Sequence, residues 1–298
     1  MSTVPQVVRI SLKNILFPTD FSAASNAALP FALALARVYG STIVIAHVLP
    51  PEPHLQVTLD RFPPQDDRAW HATQARLVEF THDRAFGNTP CKIALECGDL
   101  ADVIPDLIRE QAADLVVLGT HGRRGVSKMV LGSGAEKIYR SATCPVLTVG
   151  PKAHELAGER GEDWKLRRIL CPVDLAEDPE PALHYALSLA EEHQAEFLVM
   201  QAVPLVPWQR RAAVEQQSRR DLERLIPESA KDWCVPEFVV RWEHPVEAIL
   251  HTAIDGDADL IVMGVHRARA AGLSTHLPWP VASEVVSRAR CPVLTVRV

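Results

Sequence analysis

Residues 113–122 read ADLVVLGTHG, and residues 258–267 read ADLIVMGVHR. Each is an aliphatic run that breaks off at a glycine. The likeness extends outward in both directions. ILFPTD at 15–20 answers ILCPVD at 169–174, and CPVLTV occurs at 144–149 and again at 291–296. Between these markers, SNAALPFALALARVYGSTIVIAHVLP answers EPALHYALSLAEEHQAEFLVMQAVP. The matches keep one order in both halves, so a single fold of roughly 140 residues is repeated in tandem. The polar, charged stretch PKAHELAGERGED at 151–163 lies between the copies and reads as a linker. The expected domains are therefore residues 1–150 and 164–298.

Within the first copy the periodicity alternates. Asn14–Pro18 is a short apolar strand, and 22–39 is alanine- and leucine-rich, helical, and stopped by Gly40. Thr42–Leu49 is β-branched and reads as a strand. A proline-rich loop follows, then helical spacing over 66–86, a strand over 92–96 and a helix over 100–112. Residues 114–118 read as a strand, aliphatic from Leu115 to Leu118. After the glycine loop come a helix near 135–141 and the strand Val146–Val149. Continuous aliphatic strands such as LVVL and IVIA suit a sheet buried on both faces. The expected fold class is α/β: two tandem copies of a doubly wound, mainly parallel, five-stranded, Rossmann-like sheet. Such sheets bind ligands at the carboxyl ends of their strands, where the strand order reverses.

The loop GTHGRRGVSKMVLGS at 119–133 leaves a strand at that edge and ends at a helix. Helix N-termini present unpaired N–H groups and the positive end of a dipole. Glycine lets a ligand approach the backbone, so successive N–H groups can form a nest for an anion. Ser133 adds a hydroxyl, and Arg123, Arg124 and Lys128 add positive charge nearby. The plain alternative is a tight turn at Gly119 and Gly122 with Ser133 capping its helix. Neither Gly-Lys-Ser/Thr nor GxGxxG occurs in the loop.

Bulk properties exclude several classes. The formal net charge is -6, with no basic footprint for nucleic acid or an anionic membrane. No apolar run is long enough to span a bilayer, and no export signal is visible in the first residues. None of the six cysteines forms a CxxC pair, and several sit in apolar strand-like runs. This pattern implies a cytoplasmic chain with structural thiols and no metal site.

The pattern G-x2-G-x9-G-S, carried by Gly119, Gly122, Gly132 and Ser133, resembles the ATP-binding loop of the universal stress protein family. The FPTDFS opening, the pair His47–Val48 and the CPVLTV ending resemble that family too, over essentially the whole chain. The resemblance implies a cofactor, ATP, with or without magnesium. Asp20 would hold the nucleoside, the backbone at Val48 would line the adenine pocket, and Gly119, Gly122, Gly132 and Ser133 would take the phosphates. It also implies an intramolecular pseudo-dimer in which Val146–Val149 and Val293–Val296 meet as edges. It leaves room for a homodimer and for a protein partner the sequence does not name. The residues allow blander roles: Asp20 or Ser22 caps the first helix, and Val48 belongs to the core.

The second copy keeps Asp174 and Gly264 and then diverges. Arg267 stands where Gly122 does, and counting back from the shared Cys-Pro places Trp279 and Pro280 at Gly132 and Ser133. Arginine lacks glycine's permissiveness and proline lacks an N–H. The expectation is one ATP site per chain, in the first half. Trp279 packs over its own domain or forms an interaction surface. The function expected is an ATP-binding stress-response protein working through conformation or partner binding. The alternatives are a slow ATPase and a scaffold without nucleotide. No catalytic constellation is visible, so no catalytic residue is named.

Overall fold

The computed structural model describes residues 9–50, 68–82, 84–120, 132–153, 164–265 and 280–297. In the first half β1 (Asn14–Pro18), β2 (Thr42–Leu49), β3 (Cys91–Cys97), β4 (Leu115–Gly119) and β5 (Val146–Val149) form a sheet in the order 3-2-1-4-5. In the second half β6 (Arg168–Pro172), β7 (Glu196–Ala202), β8 (Glu237–Arg241), β9 (Leu260–Val265) and β10 (Val293–Arg297) repeat that order. Every pairing inside a half is parallel. The order reverses between β1 and β4, and again between β6 and β9.

The helices are α1 (Ala23–Asn26), α2 (Leu29–Tyr39), α3 (Arg68–Thr81), α4 (Leu100–Glu110) and α5 (Ser133–Ser141), then α6 (Glu180–His193), α7 (Trp208–Leu225), α8 (Pro245–Asp255) and α9 (Pro280–Arg288). They cover both faces because successive strand residues point to opposite sides. Ile15 and Phe17 join one core with α2 and α3, while Leu16 joins the other with α4 and α5. Each core runs on through the second half.

The single helix expected over 22–39 is two. The chain turns at Ala27–Ala28, and Pro30 occupies the first turn of α2. Proline supplies no N–H, and its ring crowds the carbonyl four residues earlier, that of Asn26, so the helix breaks between Asn26 and Leu29. Gly40 ends α2 at φ 64, the left-handed stop its position implies. The linker expected over 151–163 starts with helical residues 151–153, and Ala153 is buried. Residues 154–163 lie outside the described residues, as do most of the proline-rich loop and residues 266–279, which include Arg267 and Trp279.

The halves share one ten-stranded sheet. β5 and β10 run antiparallel with Leu147 opposite Leu294. These leucines are counterparts in the two CPVLTV stretches, so the pseudo-two-fold passes through their pair. Val146–Thr295 and Thr148–Val293 flank it symmetrically. The pseudo-dimer expected from the edges is the arrangement found. Tyr39 and His193, counterparts at the ends of α2 and α6, face each other with ring centroids 6.0 Å apart. Side chains also cross over: Arg9 pairs with Glu191 at 2.8 Å, and Trp164 meets Phe31 edge-on at 4.9 Å.

The symmetry is broken at its margins. Gly150 lies so close to α9 that a Cβ would sit 2.2 Å from the Val286 carbonyl oxygen. Its counterpart is Arg297, whose guanidinium donates to the carbonyls of Tyr139 and Arg140 at the end of α5. Tyr139 and Val286 are themselves counterparts. One half therefore makes this contact by bare backbone approach, and the other by a long cationic side chain at a helix C-terminus, where positive charge is favourable.

Candidate functional site

The carboxyl ends of β1, β2 and β4 lie side by side, because β1 pairs with both neighbours. Asp20 follows β1 and is exposed. Its carboxylate accepts the Ser22 amide at 2.9 Å, a local turn that aims the chain into α1. Ser22 is the cap of α1, its hydroxyl accepting the Ser25 amide at 3.2 Å. Thus Asp20 shapes the turn and Ser22 caps the helix.

Phe21, between them, holds φ 60, a costly conformation for an aromatic residue. Three contacts fix it there. The Thr19 hydroxyl accepts its amide at 2.9 Å, His47 stacks on its ring at 5.0 Å, and the Arg76 guanidinium lies 4.2 Å over it. His47 Nδ1 lies 2.7 Å from the Thr19 carbonyl, so this histidine is a structural clamp. Val48, next along β2, is half-buried and packs against the core on the α4 side. The sequence reading passed over Phe21 and Arg76. Only FPTDFS placed an aromatic there, and its strain comes from tertiary contacts.

Gly119 is the last residue of β4. A Cβ there would lie 1.8 Å from the Ala24 carbonyl oxygen and 2.7 Å from its carbon. The glycine is thus demanded by the backbone of α1, which crosses the strand end. Gly122 lies outside the described residues, as do Arg123, Arg124 and Lys128. Gly132 is the cap residue of α5, at φ -53, and Ser133 is the first residue of the helix. Ser133 therefore does not fill the cap position. No side chain caps α5 among the described residues. Its first amides are donors of the kind an anion uses.

α5 lies beside α4. A Cβ on Gly134 would meet Leu100 at 3.5 Å, and Lys137 donates to Asp99 at 2.5 Å. Asp99 caps α4 through the Ala101 amide at 2.9 Å. Lys137, then that amide, hold the Asp99 carboxyl below its ordinary value. Two helix N-termini therefore adjoin at this edge. One is filled by the protein's own carboxylate, and the other starts with Gly132 and Ser133. Asp99 carried no motif in the sequence. Its capping position just after β3 was the only signal.

The sequence profile of the universal stress protein family matches residues 11–150 and again 165–297. The chain belongs to the universal stress protein family. It is similar to a universal stress protein of Methanocaldococcus jannaschii, 28% identical over 145 residues, covering 46% of this chain and 81% of the relative. It is similar to one from Thermus aquaticus, 31% identical over 144 residues, covering 46% of this chain and 98% of the relative. Among solved structures, a universal stress protein from Archaeoglobus fulgidus matches with a TM-score of 0.67 at 17% identity, covering 95% of this chain and 98% of the other. That likeness shows the fold: two universal stress protein domains in tandem, each α/β with a mostly parallel sheet. Among the described residues of this universal stress protein, no helix is long and apolar enough to cross a membrane.

No disulfide forms between the cysteines of this universal stress protein. Burial pushes Cys144 and Cys171 up to about 12, which keeps them protonated and inert near neutral pH. Cys97 is the exposed one.

Proposed function

We propose that this universal stress protein binds one ATP at the carboxyl edge of its first half and acts in the stress response by changing conformation or partner contacts. The observation that carries the reading is the start of α5. Gly132 and Ser133 close the G-x2-G-x9-G-S pattern at a helix N-terminus that no described side chain caps. The phosphates take those amides, the Ser133 hydroxyl and the glycine backbone of Gly119 and Gly122. Asp20 accepts from the ribose hydroxyls, and the Val48 backbone faces the base. Magnesium, where present, neutralises the phosphates. Residues 1–150 are the nucleotide-binding half, and residues 164–298 carry a degenerate loop. Cysteines without disulfides suit a reducing cytoplasm.

The test is to purify the protein without added nucleotide, denature it, and identify and count what is released, then to titrate nucleotide-free protein with ATP. One ATP per chain is expected. Saturation at a hundredfold excess over Kd raises stability by about 2.7 kcal/mol. Gly132→Leu should abolish binding while the far-ultraviolet spectrum stays unchanged, and Gly264→Leu should leave ATP affinity alone. Undiminished binding by the Gly132 and Gly122 variants would mean the wrong loop. Two ATP molecules per chain would refute the degenerate second half.

A further inference from the structure

The second half encloses a cavity of about 330 Å³ at the edge that corresponds to the ATP site proposed for the first. It opens at the carboxyl ends of β6, β7 and β9, where the strand order reverses. Its size falls within the range of small-molecule pockets, about 300–1,000 Å³. Its floor is apolar, with Met200, Ile249 and Met263, and its rim carries Asp174, Glu177 and Asp178.

No counterpart of α1 stands at this edge. Residues Ala23–Asn26 correspond to Glu177–Glu180, and that stretch reads EDPE. Proline at 179 pushes Asp178 out of the helical region. The chain makes a turn there instead, with the Glu177 amide on the Asp174 carbonyl at 3.1 Å. In the first half the α1 backbone lies against Gly119. In the second, Gly264 is exposed and lines the cavity.

The same edge is poorly built for phosphate. α6, α8 and α9 all begin there, and each carries a proline within its first two residues: Pro181, Pro245 and Pro280. Each removes an N–H that an anion would use. Asp178 takes another, accepting the Glu180 amide at 3.0 Å. Asp174 accepts the Ala176 amide at 3.0 Å and, as an ionised carboxylate, can only accept from a ligand. Three carboxylates at the rim repel an oligophosphate.

We propose that this cavity is a second ligand site, for a nucleoside-sized molecule with an apolar ring system, hydroxyl donors and no phosphate. The apolar floor takes the ring, and Asp174 accepts from the hydroxyls. The choice of a nucleoside rests on the reading of Asp20, the counterpart of Asp174, as the nucleoside-facing carboxylate of the first half.

Adenosine is the probe, titrated calorimetrically into the full chain at saturating ATP. One adenosine per chain is expected. Asp174→Ala should weaken it at least roughly tenfold, the loss of a hydrogen bond to a charged group. Ala282→Leu, which fills the cavity, should remove it, and Asp20→Ala should leave it unchanged. No adenosine binding in the presence of ATP overturns the proposal. So does adenosine binding that is lost in Asp20→Ala and kept in Asp174→Ala, and so does ATP binding that depends on Asp174. If ATP fails to bind anywhere while adenosine binds through Asp174, the second site stands and the first-half reading falls.

Discussion

Gly119→Ala separates a phosphate-facing glycine from one required by packing. The added methyl would sit 1.8 Å from the Ala24 carbonyl oxygen and 3.2 Å from the Ser25 Cα. These are backbone atoms of α1, not the tips of side chains that can rotate away. α1 or the end of β4 must retreat by more than an ångström. α1 is held by the Ser22 cap and by the Thr19–Ser25 hydroxyl contact at 3.1 Å, so the shift disturbs a tied turn. Overpacking of this kind costs about 1–3 kcal/mol. The assay is urea unfolding of nucleotide-free protein, where the midpoint should fall with an unchanged slope. Gly134→Ala is the control: its Cβ meets only Leu100, at an ordinary 3.5 Å, and alanine favours the helix, so its midpoint should hold or rise. ATP affinity should also fall in Gly119→Ala, because Asp20 leads directly into the displaced turn. A Gly119→Ala protein as stable as the parent would refute the packing argument. If it also lost ATP, Gly119 would be a glycine kept for the ligand alone.

Two further outcomes concern α6. Burial holds the His193 imidazole below its ordinary value, and its Nε2 is buried without a hydrogen-bond partner among the described residues. The fold therefore favours the neutral ring. The contribution of His193 is whole above the unfolded value of about 6.5 and is lost as pH falls through that value toward the folded one. His193→Phe should flatten the fall in stability between about pH 7 and 5, measured by urea unfolding at each pH; an unchanged slope would clear His193. Gln194, the counterpart of Gly40, sits at φ 52. Gln194→Gly should gain up to about 1 kcal/mol, the relief of left-handed strain less the added freedom of the unfolded chain, and a lowered melting temperature would contradict this.

The strands, their parallel α/β class and the tandem repeat were legible because they depend on local pattern and on repetition. ILFP and LVVL are short apolar runs, whereas the meeting of Val146–Val149 with Val293–Val296 was implied by the family resemblance. What depends on distant atoms was not legible. Gly119 was read as a phosphate residue, yet Ala24 accounts for it without any ligand. Ser133 looked like a cap, but the chain enters α5 one residue earlier, at Gly132. Pro30 was visible inside its apolar stretch. Its consequence, the break before α2, required weighing one missing N–H against an otherwise unbroken helical pattern. The cavity beside Asp174 had no motif; it lies where no counterpart of α1 stands over EDPE.

That absence also accounts for the different ligands proposed for the two halves. In both halves an aspartate follows the first strand and a glycine lies at or near the end of the fourth, so both keep the elements proposed to face a nucleoside. They differ in what lies around those elements. In the first half α1 crosses Gly119, and Gly132 opens α5 without a capping side chain, which leaves N–H donors at the far end of the edge. In the second half Pro179 disfavours a helix over EDPE, and prolines stand in the first two positions of α6, α8 and α9, so N–H donors are lost beside the cavity. Both changes come from proline placement and act in the same direction, from a donor-rich edge toward an apolar cavity with an acidic rim. The shared sheet ties the two edges together: β5 and β10 pair across the pseudo-two-fold, and both cores are continuous through it. A ligand that tightens either half therefore stabilises the same cooperative unit, so occupancy of one site should register in the unfolding of the whole chain.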